Sequence, residues 1–215
     1  LKAFYIDRYE VTNRRYKVYI DDLNAVSPKH WEGNKFPDGQ DKFPVINVTW
    51  YDASNFCQWA EKQLPSEKQW EKAARGETAN EYPWGMEFHS NYANLSTKPG
   101  SKNSLSPVGS HPRSATPLGV HDLIGNVWEW VGDNYSPYKG SSYQSKNFSD
   151  TLKVLRGQSS KDIGHFPGAT YLSAMKMFSR SSYRESSHPD QIEIDVGFRC
   201  ASKKIPKAIK LANLS

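Results

Sequence analysis

Apolar positions along this chain come in short clusters separated by long polar stretches. A brief apolar run, Ala3-Phe4-Tyr5-Ile6, opens it. Tyr16, Tyr19 and Ile20 then recur at helical spacing behind Thr12 and Asn13, either of which suits an N-cap, so the pattern predicts a helix starting there. Val45-Ile46-Asn47-Val48 is short and apolar. Asp52 fits the cap of a helix running to Lys62, which places Phe56, Trp59 and Ala60 on one face. Ser66 and Gln69 have the spacing of a capping box, and Gly76 stops that helix after Arg75. Lys153–Gly157 and Val196–Cys200 read as two short strands. Residues 24–43 are rich in turn formers, and the segment from Gly76 to Gly119 shows little periodicity, so both read as loops. Residues 134–151, rich in Ser, Tyr and Lys, read as an exposed, mobile insertion. The pattern predicts one α+β domain over residues 1–202 with much irregular structure, then a basic tail or linker over residues 203–215.

Composition changes this picture in two ways. Hydrophobic residues are only 37% of the 215, but 7 Trp, 12 Tyr and 9 Phe can build a core from aromatic area, which excludes a disordered chain. The net charge of +5 is too small, without a recognised module, to suggest nucleic-acid binding. No apolar run reaches the length of a membrane span, and no charged-then-apolar leader opens the sequence. Cys57 and Cys200 stand in no metal or haem spacing, and from the residues alone two buried thiols and one disulfide are both open.

A series of blocks then occurs in a telling order. Phe4-x-Ile6-Asp7-x-Tyr9-Glu10-Val11-Thr12-Asn13 is followed by Val48-Thr49-Trp50-Tyr51-Asp52-Ala53 and by Leu64-Pro65-Ser66-Glu67. Trp70-Glu71-Lys72-Ala73-Ala74-Arg75-Gly76, Tyr82-Pro83-Trp84-Gly85 and Gly125-Asn126-Val127-Trp128-Glu129-Trp130 come next. Leu155-Arg156-Gly157 and Gly197-Phe198-Arg199-Cys200-Ala201 close the series. In these blocks the chain resembles the formylglycine-generating enzyme (sulfatase-modifying factor) family. The resemblance implies a C-type-lectin-like α+β fold with a short twisted antiparallel sheet, two main helices and long loops. It favours a Cys57–Cys200 disulfide, hence a periplasmic or extracellular setting. The family's usual first strand has no match before Phe4, which suggests a longer gene product or a divergent start.

The resemblance also speaks to chemistry. Active members bind copper through two cysteines five residues apart, and here those positions fall on Lys176 and Ser181. Neither offers the soft sulfur that Cu(I) wants, so no copper is expected and no catalytic residue is assigned. Trp128, Lys176, Ser181, Tyr183 and Arg184 are expected to line a remnant of the substrate groove. Calcium, a structural ion needing six to eight oxygens, is expected on Asp122, Glu129 and the carbonyls of Gly125 and Val127. A second calcium site would use Asn94, Asn103 and the carbonyls of Leu95 and Leu105. The expected function is a non-catalytic binding or structural subunit whose partner is another protein, a glycan or small ligand being the lesser choice. It would be contacted through residues 161–187 and the insertion at 134–151. The rival expectation is an enzyme with cysteine-independent oxidative or maturation chemistry.

Overall fold

The structure, a computed structural model, describes residues 1–101, 104–164 and 166–204. Local chemistry sets the first three helices. In α1 (Asn13–Leu23) the Thr12 side chain accepts from the Arg15 N–H, and Asn24 ends the helix in the left-handed region. α2 (Trp50–Trp59) is capped by Thr49, three residues before Asp52; Asp52 returns a bond to the Thr49 N–H and closes a capping box. The helix predicted from Asp52 to Lys62 therefore starts earlier and stops at Trp59. α3 (Glu67–Arg75) has the reciprocal Ser66–Gln69 box and ends at Gly76.

Two strands carry the sheet. β2 (Trp128–Tyr135) and β3 (Ser149–Arg156) pair antiparallel, with Trp130 opposite Leu155. β4 (Glu185–Ser187) adds to β3 antiparallel, and β5 (Val196–Phe198) adds to β2 in parallel, giving the order β4-β3-β2-β5. The sheet is thus mixed, where an antiparallel one was expected. β1 (Tyr5–Ile6) and β6 (Ala201–Ser202) form a separate antiparallel pair. A fourth helix, α4 (Gly168–Phe178), lies between β3 and β4 in the chain. No helix among the described residues is long and apolar enough to cross a membrane.

The sheet divides two cores. Side chains alternate faces along a strand. Trp130 and Leu155 pack with Tyr16, Tyr19, Phe56 and Phe198, whereas Val131 and Val154 pack with Trp70, Ile124, Tyr171 and Met175. Both faces are covered, so Trp130 and Val131 are buried side by side in β2 and the strand shows no simple alternation of apolar and polar positions. The first core is held by aromatic packing: Phe56 lies 5.5 Å from Tyr16 and 5.4 Å from Phe198. Close packing demands glycine at two places. A Cβ on Gly125 (φ +87°) would meet the Asn94 carbonyl oxygen at 2.6 Å, and one on Gly157 (φ +103°) would meet that of Leu123 at 2.7 Å. Gly157 leads directly into the site described below.

Candidate functional site

After β3 the chain runs through Gly157, Gln158, Ser159 and Ser160, all buried, and then crosses to α4. This turn forms one side of an open groove of about 460 Å³. Trp128 at the start of β2, Tyr183 just before β4 and Phe178 at the end of α4 line it, with Phe166. Their rings touch in series: Trp128 to Tyr183 at 6.2 Å, Tyr183 to Phe178 at 4.9 Å, Phe178 to Phe166 at 5.6 Å. Asp162, Glu185 and Asp195 bring three carboxylates to the same groove. Ser159 Oγ donates to Asp195 Oδ2 at 2.7 Å, and Lys161 Nζ stands 3.7 Å from Asp195 Oδ1. Burial, helped by Glu185, pushes the Tyr183 phenol up to about 12, so it stays protonated across the physiological range.

The residues assigned to this groove from the sequence separate. Trp128 and Tyr183 line it. Lys176 is exposed on α4, and its carbonyl accepts from the Tyr82 hydroxyl at 3.1 Å. Ser181 is buried beneath, where its N–H donates to the Glu81 carbonyl and its carbonyl accepts from Arg156 Nη2. A five-residue spacing that leaves a helix at Phe178 does not keep both side chains on one face. Arg184 turns away to Glu67, with Nε 2.5 Å from Oε1, and its guanidinium sits 4.8 and 4.3 Å from the ring centroids of Tyr135 and Tyr138. Gln158 and Asp195 were missed as groove residues, and Asp162, Phe166, Phe178 and Glu185 fell within the expected 161–187 face without being singled out. The one usable signal was the recurrence of Tyr171, Ala174, Met175 and Phe178 at helical spacing, which marks α4.

The calcium expectation meets a different arrangement. Both oxygens of Glu129 are spent on N–H donors. Oε1 accepts from Arg199 Nε (3.0 Å) and Nη2 (2.7 Å), and Oε2 from Arg199 Nε (2.8 Å) and Trp70 Nε1 (2.9 Å). A carboxylate has about four lone-pair directions, and these four bonds use them. Asp122 accepts from the Gly109 N–H at 2.6 Å and the Ser114 hydroxyl at 3.3 Å. As arranged, Asp122, Gly125, Val127 and Glu129 do not fit calcium, because a cation there would have to displace the Arg199 guanidinium. At the second set, Asn94 Nδ2 donates to the Ser104 carbonyl and to Asn126 Oδ1. Leu95 is buried, Leu105 half-buried, and Asn103 lies outside the described residues, as do residues 205–215 of the basic tail.

Beside this network lies Glu10. It is wholly buried; Oε1 accepts from Asn126 Nδ2 at 3.0 Å, and Oε2 has no partner among the described residues. Burial, then the Asp122 carboxylate, raises its pKa well above the ordinary value of 4.5. A raised carboxyl pKa means the folded state holds the proton that the unfolded state releases. Its contribution to stability is therefore full below the unfolded value and is lost as pH climbs through the folded one. Glu10→Gln keeps the neutral shape and removes the titration. The urea midpoint of the variant should fall less between pH 5 and pH 8 than that of the native chain; equal slopes would show that folding does not raise the Glu10 pKa.

Cys57 and Cys200 are joined in a buried disulfide with Cα atoms 5.6 Å apart, and no cysteine is free. An α+β domain of this topology, cross-linked between its second helix and its C-terminal strand region and carrying an aromatic groove beside α4, defines a sulfatase-modifying-factor type of domain. The chain belongs to that family: residues 1–204 match the model of the sulfatase-modifying factor enzyme 1-like domain. Among curated proteins it is 37% identical over 169 residues to the inactive C-alpha-formylglycine-generating enzyme 2 of Bos taurus, covering 75% of this chain and 50% of that protein. It is 28% identical over 237 residues to the hercynine oxygenase of Mycobacterium tuberculosis, covering 93% and 52%. The chain thus spans about half the length of these relatives. The solved structure of PvdO from Pseudomonas aeruginosa superposes with a TM-score of 0.68 at 26% identity, covering 94% of this chain and 80% of that one. These likenesses establish the α+β fold and the family.

Proposed function

We propose that this domain is a non-catalytic binding or structural subunit that works in a periplasmic or extracellular setting and engages another protein through the groove beside α4. The observation that carries the reading is the state of its thiols. The chain has two cysteines, and both are locked in one buried disulfide. A disulfide leaves no thiolate for Cu(I), so these residues do not fit the copper chemistry of the family's cysteine-paired enzymes. The word "inactive" in the bovine relative's name agrees with this reading. A structural disulfide also persists best in oxidising compartments, which supports the location. The second reading, an enzyme with cysteine-independent chemistry, draws on the hercynine oxygenase relative.

Native mass spectrometry of the protein from its own source, without chelator, decides between them. A stable hetero-complex is the expected result. A lone chain holding stoichiometric copper or iron would overturn the binding reading. The same spectrum weighs calcium, whose presence would mean that Arg199 swings off Glu129.

A further inference from the structure

The outward face of α3 carries a charge that the fold does not explain. Lys68 is the second residue of that helix, where the N-terminal end of the helix dipole disfavours a cation. It is exposed, and no acid pairs with it among the described residues. Lys72, one turn on, is exposed as well, with its Nζ 3.3 Å from the Gly76 carbonyl oxygen. The two acids of this helix are spent elsewhere. Glu67 accepts from Arg156, Arg184 and the Tyr138 hydroxyl, and Glu71 accepts from Arg75 and Arg156. The face thus keeps a surplus of positive charge.

Two hollows open on this face and meet at Leu1, which lines both. The first, about 360 Å³, is walled by Lys68, Lys72, Ala79 and Tyr138, the last supplied by the 134–151 insertion. The second, about 500 Å³, adds Lys2, Ala3 and Lys203. Lys2 and Lys203 are exposed and have no ion pair among the described residues. Lys203 opens a stretch, residues 203–215, with four lysines and no acid. Neither hollow shares a residue with the groove beside α4. A cationic ligand is repelled here, and an uncharged one gains nothing from the lysines. A bilayer is met by a broad apolar face, whereas Leu1, Ala3 and Tyr138 line concave spaces that suit the side chains of a single chain segment.

We propose that this face docks an acidic segment of a partner protein, its Asp or Glu carboxylates set against Lys2, Lys68, Lys72 and Lys203 and an apolar side chain seated between Leu1 and Tyr138. It is a second surface, distinct from the groove beside α4, and it does not depend on what that groove binds.

The test uses two blocked, fluorescent peptides, one with Glu on both sides of a central Leu and one with Gln in place of each Glu. Each is titrated with the full chain and followed by anisotropy. The Glu peptide should bind saturably, more weakly as salt rises from about 0.05 to about 0.3 M, and the Gln peptide several-fold more weakly. Lys2→Glu/Lys68→Glu should weaken the Glu peptide several-fold while the melting temperature holds or rises, because an acid suits the first turn of α3. A folding defect cannot imitate that pair of results. Lys29→Glu/Lys35→Glu makes the same change of net charge at exposed lysines that line neither hollow, and should leave binding near the native value. Equal binding of the two peptides, an equal loss in both double variants, or no saturable binding at millimolar concentration would overturn the proposal. Binding to phosphatidylserine-containing vesicles without binding to the Glu peptide would overturn it too, and would make the face a lipid surface.

Discussion

Arg199→Ala loses about 3–5 kcal/mol, the range seen when one partner of a buried ion pair is removed. Total stability of a domain is only about 5–15 kcal/mol, so the variant should be largely unfolded or melt far below the native chain. Arg199 is fully buried and its partner Glu129 is 1% exposed at the side chain. The guanidinium does more than neutralise that carboxylate. Nη1 donates to the carbonyls of Asp7 and Arg8 at 3.2 Å each, and Nη2 donates to the carbonyl of His121 at 2.8 Å. One side chain thus ties the end of β5 to the segment before α1, to the turn at residue 121 and to β2. Alanine leaves Glu129 charged with the Trp70 N–H alone and three carbonyls without this donor. The double variant Glu129→Leu/Arg199→Met should recover part of the loss, since it removes both charges together. Urea unfolding followed by far-ultraviolet circular dichroism measures both. A loss under about 1 kcal/mol for Arg199→Ala, the size of an exposed pair, would show that water reaches this site.

The same pair shows where the sequence could be read and where it could not. Helix ends are decided within four residues, so Thr12, the Ser66–Gln69 box and Gly76 were legible. The Asp52 error is of the same local kind: Thr49 and Asp52 both bear capping groups, and only the observed bonds show that Thr49 leads. Helix α4 hides because Pro167 offers no side-chain cap, although its buried positions recur regularly. Strand β2 hides because Trp130 and Val131 are both buried, on opposite faces. Function-bearing geometry is further from view. Glu129 looked like an open oxygen ligand because the residue that claims it lies 70 positions away in the chain. Gln158 carried no signal at all, since its place in the groove goes with a positive φ that the sequence does not announce. What the ordered blocks did convey was the family, and through it the pairing of Cys57 with Cys200, which spacing alone left open.

That pairing carries the second large expectation. Cys57→Ala/Cys200→Ala should lower stability by about 5 kcal/mol, the chain-entropy value for closing a loop of over one hundred residues. The bridge spans 143 positions and fastens α2 to the chain between β5 and β6. Its surroundings depend on it unequally. The Cys200 carbonyl accepts from the Asp7 N–H at 2.8 Å, and Ala201 exchanges bonds with Gln63 at 2.7 and 2.9 Å. These bonds, and the two-residue β1–β6 pair beside them, have little sheet to share a loss with. Amide exchange should therefore speed first at Asp7, Gln63 and Ala201, before the β2–β3 pair opens. Because both sulfurs are buried, dithiothreitol alone should reduce the native protein slowly, and reduction should quicken steeply as urea opens the fold. A drop in the urea-derived unfolding energy of several kcal/mol, with exchange at Asp7, Gln63 and Ala201 speeding more than in the β2–β3 pair, is the expected result. A drop under about 1 kcal/mol would mean that the native contacts already hold these ends together and that the cross-link adds little to them. In that case the tolerance of this scaffold for a strained groove would have to come from the buried Arg199–Glu129 network, and the two variants combined would show it by losing no more than Arg199→Ala alone.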